Sequence, residues 1–127
     1  MNVLLIEDHP TDLKLLSAVL EYSGHRVLEK GSAEHALEEI KRRQPDVILL
    51  DLNLPGMDGL ALARLLKQDA ATRHIPIVAI TAAAEQFTRD AALAAGCDAY
   101  IAKPVDTRKL SEQVTEASAA RDDWKRP

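Results

Sequence analysis

Five short apolar runs separated by longer amphipathic segments constrain the fold of this chain more than any other feature of its sequence. Three of the runs are nearly continuous in Val, Ile and Leu, as strands covered on both faces are, whereas HRVLEK is more polar and suits a sheet edge. Strands alternating with helices predict an α/β fold with a doubly wound parallel sheet and right-handed crossovers. The runs are NVLLI (2–6), HRVLEK (25–30), DVILL (46–50), IPIVAI (75–80) and DAYIA (98–102).

The segments between these runs carry helical periodicity and helix punctuation. Gly24 can end the first helix, Ser32 is placed to cap the second, and Asp106 or Thr107 is the expected cap of the last. The fourth helix is expected in AAAEQFTRDAALAAG (82–96), whose side chains are mostly small. The apolar faces of the first, third and last helices are predicted to contain Leu13, Leu16, Val19 and Leu20, then Leu62, Leu65 and Leu66, then Leu110, Val114 and Ala117.

Length and composition exclude several classes of protein. The 127 residues match one domain, expected over residues 1–120, and RDDWKRP (121–127) is expected to be a charged C-terminal tail or the start of a linker. A net charge of -4 weighs against direct nucleic-acid binding. Cys97 is the single cysteine, so no intrachain disulfide can form, and no apolar run approaches membrane-spanning length. We therefore expect a cytoplasmic protein without a membrane contact.

Chemically active side chains follow four of the predicted strands at the point where each strand ends. They are Glu7 and Asp8 after the first strand, Asp51 after the third, Thr81 after the fourth and Lys103 after the fifth. Sites in doubly wound sheets form beyond the carboxyl ends of the strands, so we expect these side chains to meet at one rim. Each alone could be a solvated loop residue or a helix cap, but three carboxylates, a hydroxyl and an ammonium together indicate a site.

The carboxylates of this rim predict a divalent cation. Three acids and Lys103 leave about -2 in a small volume, where each close like-charge pair costs about 4 kcal/mol at an effective dielectric near 20. All-oxygen ligands favour Mg²⁺, with Mn²⁺ possible, and none of the four histidines has zinc-site spacing. A carboxylate balanced in this way can attack a phosphoryl group and form an aspartyl phosphate, whose oxygens Thr81 and Lys103 would stabilise.

In these motifs the chain resembles the receiver domains of the response-regulator family of two-component signalling, and the resemblance extends to about residue 120. It is carried by the acidic pair Glu7-Asp8, Asp51 closing strand 3, the turn PGMDG (55–59), Thr81 and Lys103-Pro104. The resemblance implies a flavodoxin-like sheet of strand order 2-1-3-4-5 with five helices. It also implies a cis Lys103-Pro104 bond, which an X-Pro bond can adopt at little cost.

The resemblance implies a role for each of these residues. Asp51 would be the phosphoacceptor, Thr81 the switch hydroxyl, and Lys103 the partner of the phosphoryl group. The glycines of the PGMDG turn are expected to adopt backbone angles closed to other residues. The implied Mg²⁺ ligands are Asp8, Asp51 and the backbone carbonyl of Asn53, with Glu7 acting mainly through water.

Three further residues take their expected roles from the same resemblance. Asn53 and Ala83, two positions after Asp51 and Thr81 respectively, flank the pocket where a hydrolytic water would enter, so they are candidates for setting phosphate lifetime. Tyr100 on strand 5 would swing inward when Thr81 approaches the phosphoryl group, and a half-buried strand tyrosine without a switching role is the alternative.

The expected function is a phosphorylation-controlled signalling receiver, not an enzyme beyond its own phosphorylation and dephosphorylation. Its donor would be a histidine kinase or histidine phosphotransfer protein, and helix 4, strand 5 and helix 5 would bind a target protein or output domain. One alternative is a Mg²⁺-dependent phosphohydrolase of the haloacid dehalogenase type, which wants a second Asp where Asn53 stands. The other is a phosphorylation-independent interaction domain, against which the complete set of acids, Thr81 and Lys103 speaks.

Overall fold

A computed structural model describes residues 1–125 of the chain and shows one five-stranded parallel sheet in the order β2-β1-β3-β4-β5. The predicted α/β class, strand order and number of helices are confirmed, and the polar strand β2 lies at an edge as expected. The strands are β1 (Asn2–Ile6), β2 (Arg26–Lys30), β3 (Val47–Asp51), β4 (Ile77–Thr81) and β5 (Ala99–Ala102). The helices are α1 (Pro10–Tyr22), α2 (Ala33–Arg42), α3 (Gly59–Gln68), α4 (Arg89–Ala94) and α5 (Leu110–Lys125).

The sheet separates two apolar cores. One packs α2, α3 and α4 against Ile48 and Leu50 of β3, and the other packs α1 and α5 against Val47 and Leu49 of the same strand. Every residue of β3 is buried, which explains why its sequence is an unbroken apolar run up to Asp51. Burying one such side chain stabilises the fold by about 1.5 to 3 kcal/mol, so β3 is a rigid support for whatever follows it.

Several predicted helix signals are confirmed. Ser32 caps α2, since its hydroxyl accepts a hydrogen bond from the His35 N–H at 3.2 Å. Gly24 follows the end of α1 with a φ of 95°, a left-handed angle that glycine adopts without strain. The predicted core positions Leu110, Val114 and Ala117 of α5 are buried.

Two helix predictions are wrong. Leu65 is 44% exposed, because the buried stripe of α3 runs through Leu62, Ala63 and Leu66 and leaves Leu65 beside it. The fourth helix covers six residues instead of most of residues 82–96. Its N-terminus is fixed by Thr88, whose hydroxyl accepts from the Ala91 N–H at 3.1 Å, and the preceding residues form turns instead.

The last helix continues through most of the segment expected as a charged tail, since α5 ends at Lys125. Arg126 and Pro127 lie outside the described residues. A turn leads into α5, in which Asp106 accepts the Arg108 N–H through its side chain and the Lys109 N–H through its backbone carbonyl, both at 3.0 Å. No helix in the described part of the chain is long and apolar enough to cross a membrane.

Candidate functional site

The predicted acids and the predicted lysine lie together at the carboxyl ends of the strands. Glu7, Asp8 and Asp51 each offer a carboxylate oxygen, and these oxygens lie within 4.8 Å of one another. The Lys103 ammonium lies 2.5 Å from a Glu7 oxygen and 3.7 Å from Asp51 Oδ2. β1 and β3 are neighbours, and β2 lies on the other side of β1, so this is the switch point of the sheet.

Asp51 is held by the strand that precedes it and by the turn that follows. It is the last residue of β3, is 5% exposed, and its Oδ1 accepts a hydrogen bond from the Asn53 N–H at 3.0 Å. The PGMDG turn then packs back on the strand end, because a Cβ on Gly59 would lie 2.6 Å from the Leu52 Cα and 2.7 Å from the Asp51 carbonyl oxygen.

The two glycines of this turn have different reasons to be glycine. Gly56 has a φ of 73°, as expected for a residue with left-handed backbone angles. The expectation is wrong for Gly59, whose φ is not positive and which is required instead by the close approach of β3. The short turn therefore fixes the backbone on both sides of Asp51.

Burial and the neighbouring acid make ionisation of Asp51 unfavourable. Burial, together with the hydrogen bond and charge interaction with Glu7, raises the pKa of Asp51 to about 7, although the Asn53 N–H and the Lys103 charge lower it in part. Burial also opposes ionisation of Glu7, but its hydrogen bonds with Asp51, Lys103 and the His9 N–H outweigh that effect and lower the pKa of Glu7. The nearby positive charge of Lys103 is therefore not sufficient to keep both Asp51 and Glu7 ionised.

The uncompensated negative charge of these carboxylates and their oxygen atoms as ligands both fit a magnesium ion. Asp8 is exposed and Asp51 faces the same rim, so both can offer hard oxygen ligands. The Glu7 oxygens are already engaged, one with the Lys103 ammonium and the other with the His9 N–H at 3.2 Å, which favours contact with a cation through water. A divalent cation would offset the charge that raises the pKa of Asp51.

Lys103 is held at the rim by hydrogen bonds to two acids, with a third acid close by. Its peptide bond to Pro104 is cis, as expected, and its backbone N–H donates to the Thr81 carbonyl oxygen at 2.8 Å. Its ammonium also lies 2.8 Å from Asp12 Oδ2. Burial disfavours the charged amine, yet hydrogen bonds to Asp12 and Glu7 and the nearby Asp51 charge raise the pKa of Lys103.

Asp12 is a site residue that the sequence analysis missed. It lies in the first turn of α1, which begins at Pro10, so it projects towards the rim from a helix and not from a strand end. The signal in the sequence was a third acid four positions after Asp8 and two positions after Pro10, the proline at which the helix starts.

Thr81 connects the rim to β5 through successive hydrogen bonds. It is fully buried, and its Oγ1 accepts from the Ala83 N–H at 2.9 Å. The Ala83 carbonyl accepts from the Phe87 N–H at 2.8 Å, and the Phe87 carbonyl accepts from the Tyr100 hydroxyl at 2.6 Å. The Arg89 guanidinium lies over the Tyr100 ring, 5.2 Å from its centroid. Phe87 and Arg89 were not predicted as part of this connection.

The chain belongs to the response regulator receiver domain family, whose model it matches over residues 3–115. A curated relative is the polar-differentiation response regulator DivK of Brucella ovis, which is 34% identical over 113 residues, covering 89% of this chain and 92% of that protein. The recognition of a receiver domain of two-component signalling from sequence motifs is therefore confirmed.

Solved structures agree with this assignment. A putative response regulator from Chloroflexus aurantiacus is 32% identical, with a TM-score of 0.88 over 93% of this chain and 97% of that one. The receiver domain of a sensor histidine kinase from Pseudomonas aeruginosa is also 32% identical, with a TM-score of 0.85 and the same coverage of both chains, and has a magnesium ion coordinated in its active-site cleft.

Proposed function

We propose that this receiver domain accepts a phosphoryl group on Asp51 and thereby switches a protein-binding face. The observation that carries the proposal is the position of Asp51: its carboxylate ends the central strand β3, within 3.7 Å of the Lys103 ammonium and beside two further acids. Asp8 is exposed in the segment between β1 and α1, and Glu7 is engaged on both oxygens. Asp51 is the carboxylate best placed to act as a nucleophile.

The reaction transfers a phosphoryl group from a phosphohistidine to the Asp51 oxygen. The phosphorus–nitrogen bond breaks, a phosphorus–oxygen bond forms, and the leaving imidazole takes a proton from water. Bound Mg²⁺, or Mn²⁺, would neutralise charge on the transferring oxygens, with Asp8, Asp51 and the Asn53 carbonyl as its ligands. Lys103 would pair with one phosphoryl oxygen, and Thr81 would donate its hydroxyl to another.

The proposed donor is a histidine kinase or a histidine phosphotransfer protein, and the proposed target is a protein or output domain that binds α4, β5 and α5. Asn53 and Ala83 would set the phosphate lifetime, since they stand two residues beyond Asp51 and Thr81. Cytoplasmic phosphotransfer suits a chain whose one cysteine, Cys97, is a buried thiol with a pKa raised by burial to about 12.

The test is covalent labelling with acetyl phosphate and Mg²⁺, followed by intact-mass and peptide mass spectrometry. The parent should gain one phosphoryl group on the peptide that contains Asp51, and hydroxylamine should remove it. Asp51→Asn should gain none. Asp90→Asn, which removes an exposed acid from α4, is the matched control and should label like the parent. Label of parental extent in Asp51→Asn would place the acceptor elsewhere and overturn the proposal.

A further inference from the structure

We propose that Asp12 is a positioning residue that competes with the phosphoryl group for Lys103 and so limits how readily Asp51 is phosphorylated. The inference rests on the proposed function, because it takes Asp51 as the phosphoacceptor. It concerns an acid on α1 that lies outside the set of strand-end residues.

The distances around the Lys103 ammonium show which acids hold it. Asp12 Oδ2 and a Glu7 oxygen are both within hydrogen-bond range, at 2.8 Å and 2.5 Å, whereas Asp51 Oδ2 is beyond it at 3.7 Å. An ammonium group has three N–H donors and no acceptor. Two donors are therefore engaged with acids other than the proposed acceptor.

Asp12 is more exposed than Glu7 and is held by fewer contacts apart from Lys103. Glu7 is fully buried directly after β1 and its second oxygen is held by the His9 N–H. Asp12 is 37% exposed on the first turn of α1. Water can solvate Asp12 after Lys103 leaves it, so this contact is the one that can be given up.

Space beside the pair allows such a movement. A cavity of about 410 Å³ lies between α1 and the segment after β5, and Asp12 and Lys103 both line it together with Leu16 and Pro104. The cavity therefore leaves the Asp12 and Lys103 side chains room to separate without displacing a core side chain.

Phosphorylation creates the competition. An aspartyl phosphate replaces one carboxylate charge by roughly -2 on the phosphoryl oxygens, and these oxygens need N–H donors. While Asp12 holds one donor of Lys103, the phosphoryl group receives less stabilisation. Removing the Asp12 charge should release the ammonium for the incoming phosphoryl group and favour the phosphorylated state.

The experiment measures the initial rate of phosphorylation against the concentration of acetyl phosphate at saturating Mg²⁺. Asp12→Asn keeps the size of the side chain and removes its charge. It should lower the half-saturating concentration about fivefold, the upper range for a partly exposed ion pair. Asp12→Glu keeps the charge and should stay close to the parent. Glu116→Gln changes the net charge equally from the exposed face of α5 and should have no effect.

A double-variant comparison separates competition for Lys103 from a general charge effect. In a Lys103→Gln background, Asp12→Asn should no longer lower the half-saturating concentration, because no ammonium remains to be released. A second readout needs no metal: in a crystal structure of metal-free Asp12→Asn, the ammonium should lie within hydrogen-bond range of Asp51 Oδ2. Circular dichroism checks that each variant is folded.

Each outcome decides the matter. Parental kinetics in Asp12→Asn, or an unchanged effect in the Lys103→Gln background, would overturn the competition. Slower phosphorylation of Asp12→Asn would also overturn it and show that Asp12 orients Lys103 productively. A parent that is not labelled on Asp51 at all overturns the proposed function as well, and that failure is visible without any variant.

Discussion

Ionisation of the Asp51 carboxylate is unfavourable because the group is buried and lies beside Glu7. Its pKa is raised from 3.8 to about 7, so the folded chain holds a proton that the unfolded chain releases between these two values. The associated stability is fully present below pH 4 and is lost as the pH rises through about 7. A functional carboxylate at this place therefore destabilises the metal-free fold at neutral pH.

The first prediction is that Asp51→Asn stabilises the metal-free protein in a pH-dependent way. Asparagine cannot ionise, so the free energy of unfolding of the variant should exceed that of the parent by about 2 to 4 kcal/mol at pH 8, with the gain shrinking towards pH 4. Urea unfolding at several pH values in the presence of a chelator measures it.

Asp90→Asn provides the baseline for this comparison because it removes an exposed acid from α4. Its difference from the parent should be small and nearly independent of pH. A stability gain for Asp51→Asn that stays constant from pH 4 to pH 8 would contradict an Asp51 pKa near neutrality. Added Mg²⁺ should reduce the gain at pH 8 by stabilising the parent.

The second prediction concerns Asp8 as a metal ligand. Asp8 and Asp51 face the same rim, and an all-oxygen site with retained waters suits Mg²⁺. Asp8→Ala should weaken Mg²⁺ binding at least tenfold in a calorimetric titration, because one of the few direct carboxylate ligands is lost. Glu116→Ala removes an equal charge from α5 and should bind like the parent. Equal affinities for the two variants would rule out Asp8 as a ligand.

At the scale of the elements, the PGMDG turn shows how a strand end is fixed. Gly59 opens α3 and its N–H donates to the Leu52 carbonyl at 3.0 Å, which brings the helix start against the end of β3. Asp58 caps α3 by accepting the Ala61 N–H at 2.8 Å. The turn thus links the N-terminal cap of α3 to Asp51 and Leu52 at the end of β3.

The third prediction is that Gly59→Ala destabilises the fold although alanine is the better helix former. The new Cβ would lie 2.6 Å from the Leu52 Cα, and this backbone atom cannot move aside as the end of a flexible side chain can. Overpacking of this kind costs about 1 to 3 kcal/mol, more than the roughly 1 kcal/mol that alanine offers within a helix. Urea unfolding should show the loss.

Gly31→Ala is the matched control for Gly59→Ala. A Cβ on Gly31 meets no atom within 4 Å and its φ is not positive, so its effect should stay within about 0.5 kcal/mol. If both alanine variants were equally stable, the close contact at Gly59 would not limit the fold.

The elements were predictable where the pattern and the packing coincide. The buried strands follow from unbroken apolar runs, and the order of strand-end residues placed Glu7, Asp51 and Lys103 at one rim. The short α4 was not predictable from its alanines, because helix propensity is overridden by the Thr88 cap and the turns before it. Local hydrogen bonds, and not composition, decide where that helix begins.

The candidate site was predictable only as far as residues follow strands. Asp12 escaped because it reaches the rim from a helix, where acids in the first turn are common for their interaction with the helix dipole. Gly59 was assigned a turn conformation, whereas its actual constraint is a long-range contact that the sequence does not express. The sequence does not show that the Asp12 side chain points from α1 to the rim, or that Gly59 packs closely against the end of β3.

Across the whole molecule, a chain of hydrogen bonds joins the rim around Asp51 to the proposed binding face of α4, β5 and α5. Hydrogen bonds run from Thr81 through Ala83 and Phe87 to Tyr100, whose ring also lies under Arg89 at the start of α4. A hydroxyl can accept and donate at once, so Thr81 can keep its bond from Ala83 while it donates to a phosphoryl oxygen. Its displacement would then be passed to Tyr100 and α4.

More than one contact with the phosphoryl group is needed to supply the free energy for such a switch. Converting a population from 1:99 to 99:1 takes about 5.5 kcal/mol of differential stabilisation. A hydrogen bond to a charged group contributes about 1.5 to 3 kcal/mol, so neither Thr81 nor Lys103 is sufficient alone. Both must move towards the phosphoryl group for the binding face to change in nearly all molecules.

The last prediction is that Thr81→Ala is phosphorylated on Asp51 but couples poorly to the binding face. Without the hydroxyl, Lys103 alone favours the active state, and about 2 kcal/mol from one such contact brings only about a quarter of the molecules to that state. Phosphorylation-dependent chemical-shift changes at Tyr100 and along α4 should fall to less than half of the parental size in NMR spectra. Thr115→Ala, which removes an exposed hydroxyl of α5, should respond like the parent. Parental shifts in phosphorylated Thr81→Ala would show that the signal leaves the rim by another route.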